Sequence, residues 1–274
     1  MTDFAALFDL DFFRHALLAA ALASVLCGLV GTFVVLKRLV SLGGGIAHAA
    51  FGGLGIAFWA GVEPRLGAMA VAALSAVGLG FLDGERARRQ DAAIGVLWAV
   101  GMAIGLVFVH WTPGYAPDLL GYLFGDILMV GPLDLALAAV ADVVVIALLL
   151  LHRRRLVAVA FDEEAARIAG LRVRLYSIGL LALIALSIVV LLQLVGIVLV
   201  IALLTVPPLI ARRLVRSLGA TLVVSCALCW VVTTGGLLLA YRFDLPAGPA
   251  MVLLGGALLG LAQLVPARSA RPAR

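Results

Sequence analysis

Two side chains of this sequence combine metal-binding chemistry with apolar surroundings. His48 lies in GGGIAHAAFGG with no charged residue near it, and Asp142 lies midway through LAAVADVVVIALL. Zinc takes imidazole nitrogen and carboxylate oxygen as donors, whereas manganese takes more oxygen. A carboxylate deep in an apolar segment is costly, so Asp142 is a candidate functional residue. The alternatives are a satisfied core histidine for His48, and for Asp142 a hydrogen-bonded packing residue or one that faces a wet cavity.

The elements that position these side chains are membrane-spanning helices. The chain has 274 residues, of which 65% are hydrophobic and 13% are charged. An ordinary soluble domain is about 45–50% apolar and about 25% charged, so this chain has too little polar surface to enclose a soluble core. Composition therefore argues against a soluble enzyme, a disordered chain and a nucleic-acid binder. We expect an all-α, polytopic transmembrane bundle that forms a single domain over residues 1–274.

Eight or nine spans fit the apolar content at about 20 residues for each helix. Backbone groups in lipid must bond within their own segment, so the apolar stretches are expected to be helices. The second stretch is short and rich in glycine, and the seventh follows the sixth almost without a break, around Gln193. The predicted spans are 13–36, 46–60, 66–82, 92–110, 128–151, 175–192, 194–210, 218–241 and 247–265.

Basic residues predict the orientation, because they stay on the cytoplasmic side. With the N-terminus outside, 17 Lys and Arg residues fall on inner connections and the tail, while Arg14, Arg65 and Arg242 fall outside. This distribution favours an odd number of crossings with a cytoplasmic C-terminus. Eight crossings would require a re-entrant segment or an N-terminus inside.

The largest predicted cytoplasmic connection is the segment 152–174, HRRRLVAVAFDEEAARIAGLRVR. Asp162 is a good N-cap, Glu163 and Glu164 occupy the favourable first turn, and Gly170 can adopt the left-handed conformation that ends a helix. The pattern predicts a short helix of about two turns. It is either a solvated connector or a docking helix for a cytoplasmic partner, and the capping favours docking.

Glycine and proline mark particular places in the spans. Small residues at helical spacing let helix backbones approach closely, either within the bundle or at a subunit interface or moving gate. They are Gly52, Gly53, Gly55, Gly101, Gly105, Gly256 and Gly260. Pro207 and Pro208 interrupt the regular hydrogen bonding of the seventh span, which predicts either a hinge near the cytoplasmic face or a plain helix stop before ARRL.

Motifs of catalysis are missing from the sequence. It contains no HExxH and no GxxxxGK[ST] phosphate-binding loop. Any ATP hydrolysis must therefore come from a partner protein.

Six segments, in one order along most of the chain, resemble a known family. They are FRHALLAAAL with GTFVVLKRLVSLGGGIAHAAFGGLGIAF, then DAAIGVLWAVGMAIG, DLLGYLFGDILMV, AFDEEAARIAGL, VGIVLVIALLTVPPLIARRL and DLPAGPAMVL. The chain resembles the membrane permease subunit of ATP-binding-cassette importers for zinc and manganese.

This resemblance implies a permease that catalyses no reaction and keeps no bound cofactor. The transported substrate would be Zn²⁺ or Mn²⁺. Two permease subunits, a homodimer in the simplest case, would sit in the bacterial inner membrane over two cytoplasmic ATP-binding subunits. An extracytoplasmic metal-binding protein would deliver the ion. In such permeases the ATPase docks on the region AFDEEAARIAGL. The resemblance therefore implies that the ATPase-coupling residues of this chain are Asp162, Glu163, Glu164, Arg167 and Gly170.

The resemblance also implies residues of the metal path. His48 matches the histidine of the family's second-span motif, and Asp126 in YLFGDI matches a family position near the outer end of the path, where it is an ion-binding group or a cap. Many relatives carry Asp four residues before this histidine, on the same helix face, but this chain has Gly44. The ligand set therefore stays open. Alternatives are a permease for iron chelates or other small substrates, and a secondary transporter driven by an ion gradient.

Overall fold

The computed structural model describes residues 10–80, 87–112 and 125–264, except for the side chains of residues 80 and 87–91. Its regular elements within these ranges are helices. They are α1 (Asp11–Leu36), α2 (Val40–Trp59), α3 (Pro64–Gly80), α4 (Ala87–Trp111), a 3₁₀ turn (Ile127–Met129), α5 (Pro132–Phe161), α6 (Glu163–Ile168), α7 (Val173–Val195), α8 (Ile197–Leu214), α9 (Leu218–Phe243) and α10 (Ala247–Leu264).

The nine apolar segments expected from the sequence correspond to α1–α5 and α7–α10. Eight of these helices are long and apolar enough to cross a membrane, and α3 is an apolar helix of 17 residues that is shorter than the rest. A helix of that length lies at the lower limit for spanning the hydrocarbon core. The expected all-helical, polytopic bundle of eight or nine spans is confirmed.

The chain divides into two compact units, each made from separate stretches of sequence. One unit contains residues 1–35, 120–142 and 193–274, and the other contains 36–119 and 143–192. We call them the terminal unit and the central unit. Helix α5 contributes to both, because residues up to Asp142 belong to the terminal unit and those from Val143 onward to the central unit.

In the central unit, α2 packs against α3 and α4 through glycine. A Cβ at Gly52 would lie 2.7 Å from the carbonyl oxygen of Gly101, and a Cβ at Gly55 would lie 2.5 Å from that of Gly105. Both distances are too short for a real side chain, so the backbones touch. The predicted close approach at these glycines is confirmed as packing within one chain.

In the terminal unit, buried hydroxyls join α1 to α9. The Ser24 and Thr233 hydroxyls are 3.1 Å apart, and the Thr32 hydroxyl donates to Ser225 Oγ at 3.1 Å. Such hydrogen bonds hold membrane helices together where apolar surface alone gives no preference between protein and lipid. The other predicted glycine pair, Gly256 and Gly260 of α10, has open space where a Cβ would lie.

Several helix boundaries differ from the prediction. The largest difference is in α5, which continues to Phe161 rather than ending at residue 151. Two others bear on the site. Helix α2 begins at Val40 rather than at residue 46, so Gly43, Gly44 and Gly45 are helical and buried. Tertiary packing overrides the low helix propensity of glycine here, because a Cβ at Gly45 would lie 2.7 Å from Ile94 of α4. The break between α7 and α8 falls at Gly196, whose φ of +75° explains why the chain turns there rather than at Gln193.

Candidate functional site

His48 is held on two sides inside the central unit. It is the buried member of the four histidines and 7% exposed. Its Nδ1 lies 2.7 Å from the carbonyl oxygen of Gly44, one turn earlier in α2. The indole of Trp98, from α4, stacks on the imidazole with ring centroids 4.0 Å apart and an interplanar angle of 25°.

The contact with Gly44 fixes which ring nitrogen of His48 can bind a metal. A carbonyl oxygen only accepts hydrogen bonds, so Nδ1 must carry the proton and donate it. The lone pair of the neutral ring is then on Nε2. Histidines that bind metals are oriented in this way, with the other nitrogen donating to a carbonyl or a carboxylate. Gly44 therefore supplies a backbone acceptor where many relatives of the resembled family have a carboxylate side chain.

Asp142 lies in the terminal unit and is 5% exposed. Its Oδ1 is buried and has no hydrogen-bond partner among the residues that the structure describes. The hydrogen bond that a packing role would use is therefore not seen at this oxygen, and the functional role of Asp142 stays a prediction.

Asp126 is an exposed cap of a short turn. Its Oδ1 accepts a hydrogen bond of 3.0 Å from the backbone N–H of Leu128, and this caps the 3₁₀ turn. The residue before it, Gly125, has a φ of +71° and packs against the backbone of Val195 and Gly196 at the break between α7 and α8. The second carboxylate oxygen leaves room for an ion-binding role, which stays a prediction.

The structure does not gather the predicted metal ligands into one cluster. His48 belongs to the central unit, whereas Asp126 and Asp142 belong to the terminal unit. Within residues 10–80, 87–112 and 125–264, no three or more His, Cys, Asp or Glu side chains are grouped so that they could hold a metal ion. The described residues therefore offer single donors rather than a closed metal site.

Pro207 and Pro208 do not end α8, which continues to Leu214. The plain helix stop is therefore wrong, and the role as a hinge stays a prediction. Pro207 has no N–H, so the carbonyl of Leu203, one turn earlier, lacks its helical donor. The thiol of Cys229 lies 3.7 Å from this carbonyl oxygen and donates in its place. Pro208 likewise leaves the carbonyl of Leu204 without its helical donor, and this oxygen packs directly against Gly31 of α1.

The short helix α6 has the predicted caps. Asp162 Oδ1 accepts hydrogen bonds from the backbone N–H groups of Glu164, at 3.0 Å, and Ala165, at 2.9 Å. At the other end, Gly170 has a φ of +79°. A buried contact among Val159, Ala166 and Val173 seats the helix between α5 and α7. The two caps expected from the sequence are confirmed.

Glu163 connects α6 to the turn that precedes α2. Its carboxylate forms an ion pair with the ammonium of Lys37, and the hydroxyl of Ser177 donates to the same oxygen at 3.2 Å. Lys37 is the sole lysine of the chain and its side chain is only 13% exposed. It lies in the turn that joins α1 to α2, next to Arg38, whose φ is +59°. The ion pair thus ties α6 to the start of the helix that carries His48.

The outer face of α6 is open. Glu164 and Arg167 are exposed, and so is Ile168, at 85%. Phe161, just before the helix, is 63% exposed. A capped helix that presents charged and apolar side chains together is suited to contact with another protein.

Three residues with a part in these sites were missed by reasoning from the sequence. Trp98 and Lys37 act across helices that are far apart in sequence, so no local pattern marks them. Cys229 reads as a packing residue in an apolar run. Its relation to Pro207 becomes visible only when α8 and α9 are placed together.

Comparison with known proteins gives consistent matches over almost the whole chain. The ABC 3 transport family matches residues 9–265. An uncharacterized membrane protein of Synechocystis, slr2045, is 39% identical over 89% of this chain and 87% of its own length. A protein of Chlamydia trachomatis named as a probable metal transport system membrane protein is 34% identical over 91% of this chain and 87% of its own length.

Solved structures agree with these matches. PsaBC from Streptococcus pneumoniae, solved in complex with a Fab, superposes with a TM-score of 0.86 at 26% identity and covers 97% of both chains. Other relatives are named as membrane proteins of manganese, iron and chelated-iron transport systems. The systems for which these relatives are named thus differ in the metal, but each is a metal transport system.

Proposed function

The chain belongs to the ABC 3 transport family and is a membrane permease rather than an enzyme, and from this we propose that it carries a divalent cation into the cytoplasm. The substrate that we propose is Zn²⁺, with Mn²⁺ next. The energy would come from ATP hydrolysed by a separate cytoplasmic subunit. The observation that carries this proposal is the buried His48, whose Nδ1–H is used by Gly44.

Donor chemistry supports zinc over manganese. The Nε2 lone pair of His48 is a nitrogen donor, which zinc accepts readily, whereas manganese takes more oxygen. Gly44 adds no carboxylate on the same helix face, and the described residues hold no cluster of further ligands near His48. The names of relatives range over manganese, iron and chelated iron, so the argument for zinc depends on the residues of this chain.

A single donor suits transport better than storage. An ion must bind well enough to enter a pathway and weakly enough to leave it. Structural zinc sites hold the metal with four protein ligands, and the described part of the chain assembles no such set. A weak site at His48, completed by water or by donors outside the described residues, allows release to the cytoplasm.

We propose that α6 is the docking helix for the ATP-binding subunit. Its support is the pair of caps, the exposed face of Glu164, Arg167 and Ile168, and the ion pair of Glu163 with Lys37. We propose two further partners from the family resemblance: a second permease subunit of the same sequence and an extracytoplasmic metal-binding protein. The distribution of basic residues supports a bacterial inner-membrane protein with α6 and the C-terminus in the cytoplasm.

Metal uptake in cells that lack their own importers tests the proposal. We expect His48→Ala to abolish uptake of ⁶⁵Zn, because the path loses its nitrogen donor, while the protein still elutes as a folded complex. His110→Ala is the matched control, since His110 is an exposed histidine at the end of α4. Normal zinc uptake by His48→Ala would remove this residue from the path.

Competition in the same cells tests the substrate. Excess unlabelled zinc should suppress uptake more strongly than equal manganese. One relative is named for chelated iron, so an iron chelate is a second candidate substrate. Uptake of a labelled iron chelate that excess free zinc leaves unchanged would favour that alternative.

A further inference from the structure

The contact between His48 and Trp98 is unusual for a packing tryptophan. Trp98 is 41% exposed, so the indole is not enclosed in a core. It stacks nearly parallel on the imidazole of the buried histidine, at 4.0 Å between ring centroids. The stack forms beside a close backbone contact of α2 and α4, because Gly101 of α4 lies against Ala49, the residue that follows His48.

The two contacts of His48 restrict different movements of its ring. The hydrogen bond from Nδ1 to Gly44 fixes one edge and the tautomer. It still permits the ring to tilt about this bond. The indole lies against one face of the imidazole and opposes that tilt, as offset-stacked aromatic pairs do. Since Nδ1 is used by Gly44, Nε2 is the ring nitrogen whose lone pair is left for a ligand.

We infer that Trp98 is a positioning residue for the metal path, which holds the imidazole plane of His48 so that Nε2 meets the passing cation. The inference rests on the proposed function and adds a residue from a second helix to it. Ligands that are held in position before the metal arrives bind it more tightly, because less ordering is required on binding. Loss of the indole should therefore weaken the interaction of zinc with His48 without removing the donor.

Nitrogen-15 NMR of labelled histidine in the full chain, in detergent micelles, measures this directly. The His48 signals are identified by their loss in His48→Ala. Zinc should shift the Nε2 resonance of His48 in the wild type. In Trp98→Leu, which keeps apolar volume but has no ring, the zinc concentration at half-shift should rise about 2- to 10-fold.

Two further variants give the comparison its control. Trp98→Phe retains an aromatic face and should keep the half-shift concentration close to that of the wild type. Trp111→Leu removes another tryptophan of α4, one that contacts Phe108, and should leave the half-shift concentration unchanged. If Trp98→Leu does not fold, as judged by gel filtration, Trp98→Met takes its place, since methionine adapts to irregular spaces.

The outcomes separate this inference from the function on which it rests. An equal zinc response of His48 in the wild type and in the variant without the ring would overturn the role of Trp98 and leave the metal path intact. A His48 signal that zinc does not shift in any variant would overturn both. A raised half-shift concentration in the variant without the ring, with rescue by Trp98→Phe, would support the inference.

Discussion

The packing of α2 on α4 predicts that Gly101→Ala destabilises the protein. A Cβ at this position would lie 2.6 Å from the Cα of Ala49 and 3.0 Å from the carbonyl oxygen of His48. The optimum for two carbon atoms is about 3.5–4.0 Å, so the helices would have to separate by about 1 Å. Overpacking of this kind costs about 1–3 kcal/mol. Zinc uptake should fall as well, because His48 lies at the point of separation.

The matched control is Gly95→Ala, in the same helix. Nothing lies within 4 Å of a Cβ at Gly95. Both substitutions exchange glycine for alanine inside α4, so the gain in helix propensity is common to them and cancels in the comparison. The difference of about 1–3 kcal/mol between the variants then reports the steric contact alone. In a chain of this size each kcal/mol changes the Tm by about 2–4 °C.

Thermal unfolding of both variants in the same detergent, followed by gel filtration of the soluble fraction, measures this difference. We expect Gly101→Ala to unfold several degrees below Gly95→Ala. Equal unfolding temperatures would mean that the two helices do not touch through their backbones at this point. Backbone contact through glycine would then not account for the position of His48.

Two other contacts give predictions of the same kind. Cys229→Ala should lower the free energy of unfolding by about 1 kcal/mol relative to Cys229→Ser, because it leaves the Leu203 carbonyl without a donor. Pro207→Ala restores the backbone N–H that donates to this carbonyl. In a double-mutant cycle with Pro207→Ala, the difference between the two Cys229 variants should therefore vanish. Lys37→Glu or Glu163→Lys should each abolish zinc-dependent ATP turnover by the assembled transporter, and the double exchange should restore it. The Lys37 side chain is only 13% exposed, so each single reversal should also destabilise the fold, and turnover is compared at equal amounts of folded transporter. Failure of the double exchange to restore turnover would argue against a coupling role.

The parts of the fold that depend on local sequence could be predicted. Long apolar runs predict spanning helices because the length of a helix in lipid is set by the thickness of the bilayer. The caps of α6 are also local, since Asp162 bonds to N–H groups two and three residues away. A pattern within a few residues is enough in both cases.

Features that depend on contacts between helices could not be predicted. The sequence GGG before His48 reads as a weak helix start, and only the packing against Ile94 makes it helical. The stack of Trp98 on His48 joins two helices, so no spacing in the sequence indicates it. The sequence also suggested that α8 ends at its prolines. The helix continues, and the donor that replaces one lost N–H is the thiol of Cys229 in α9, which no local pattern indicates.

The central unit links the proposed coupling helix to the proposed metal ligand by a short series of rigid contacts. Glu163 of α6 is paired with Lys37, and the chain then enters α2 at Val40 after the left-handed residue Arg38. At Gly52 and Gly55 the backbone of α2 meets the backbone of α4 directly, so the two helices have little room to move relative to each other at these points. A movement of α6 that preserves its ion pair would thus be transmitted to the start of α2 and to His48, with the indole from α4 moving along with the ring. If α6 is the docking helix that we propose, hydrolysis of ATP in the docked subunit changes the position of a single buried nitrogen donor through these contacts.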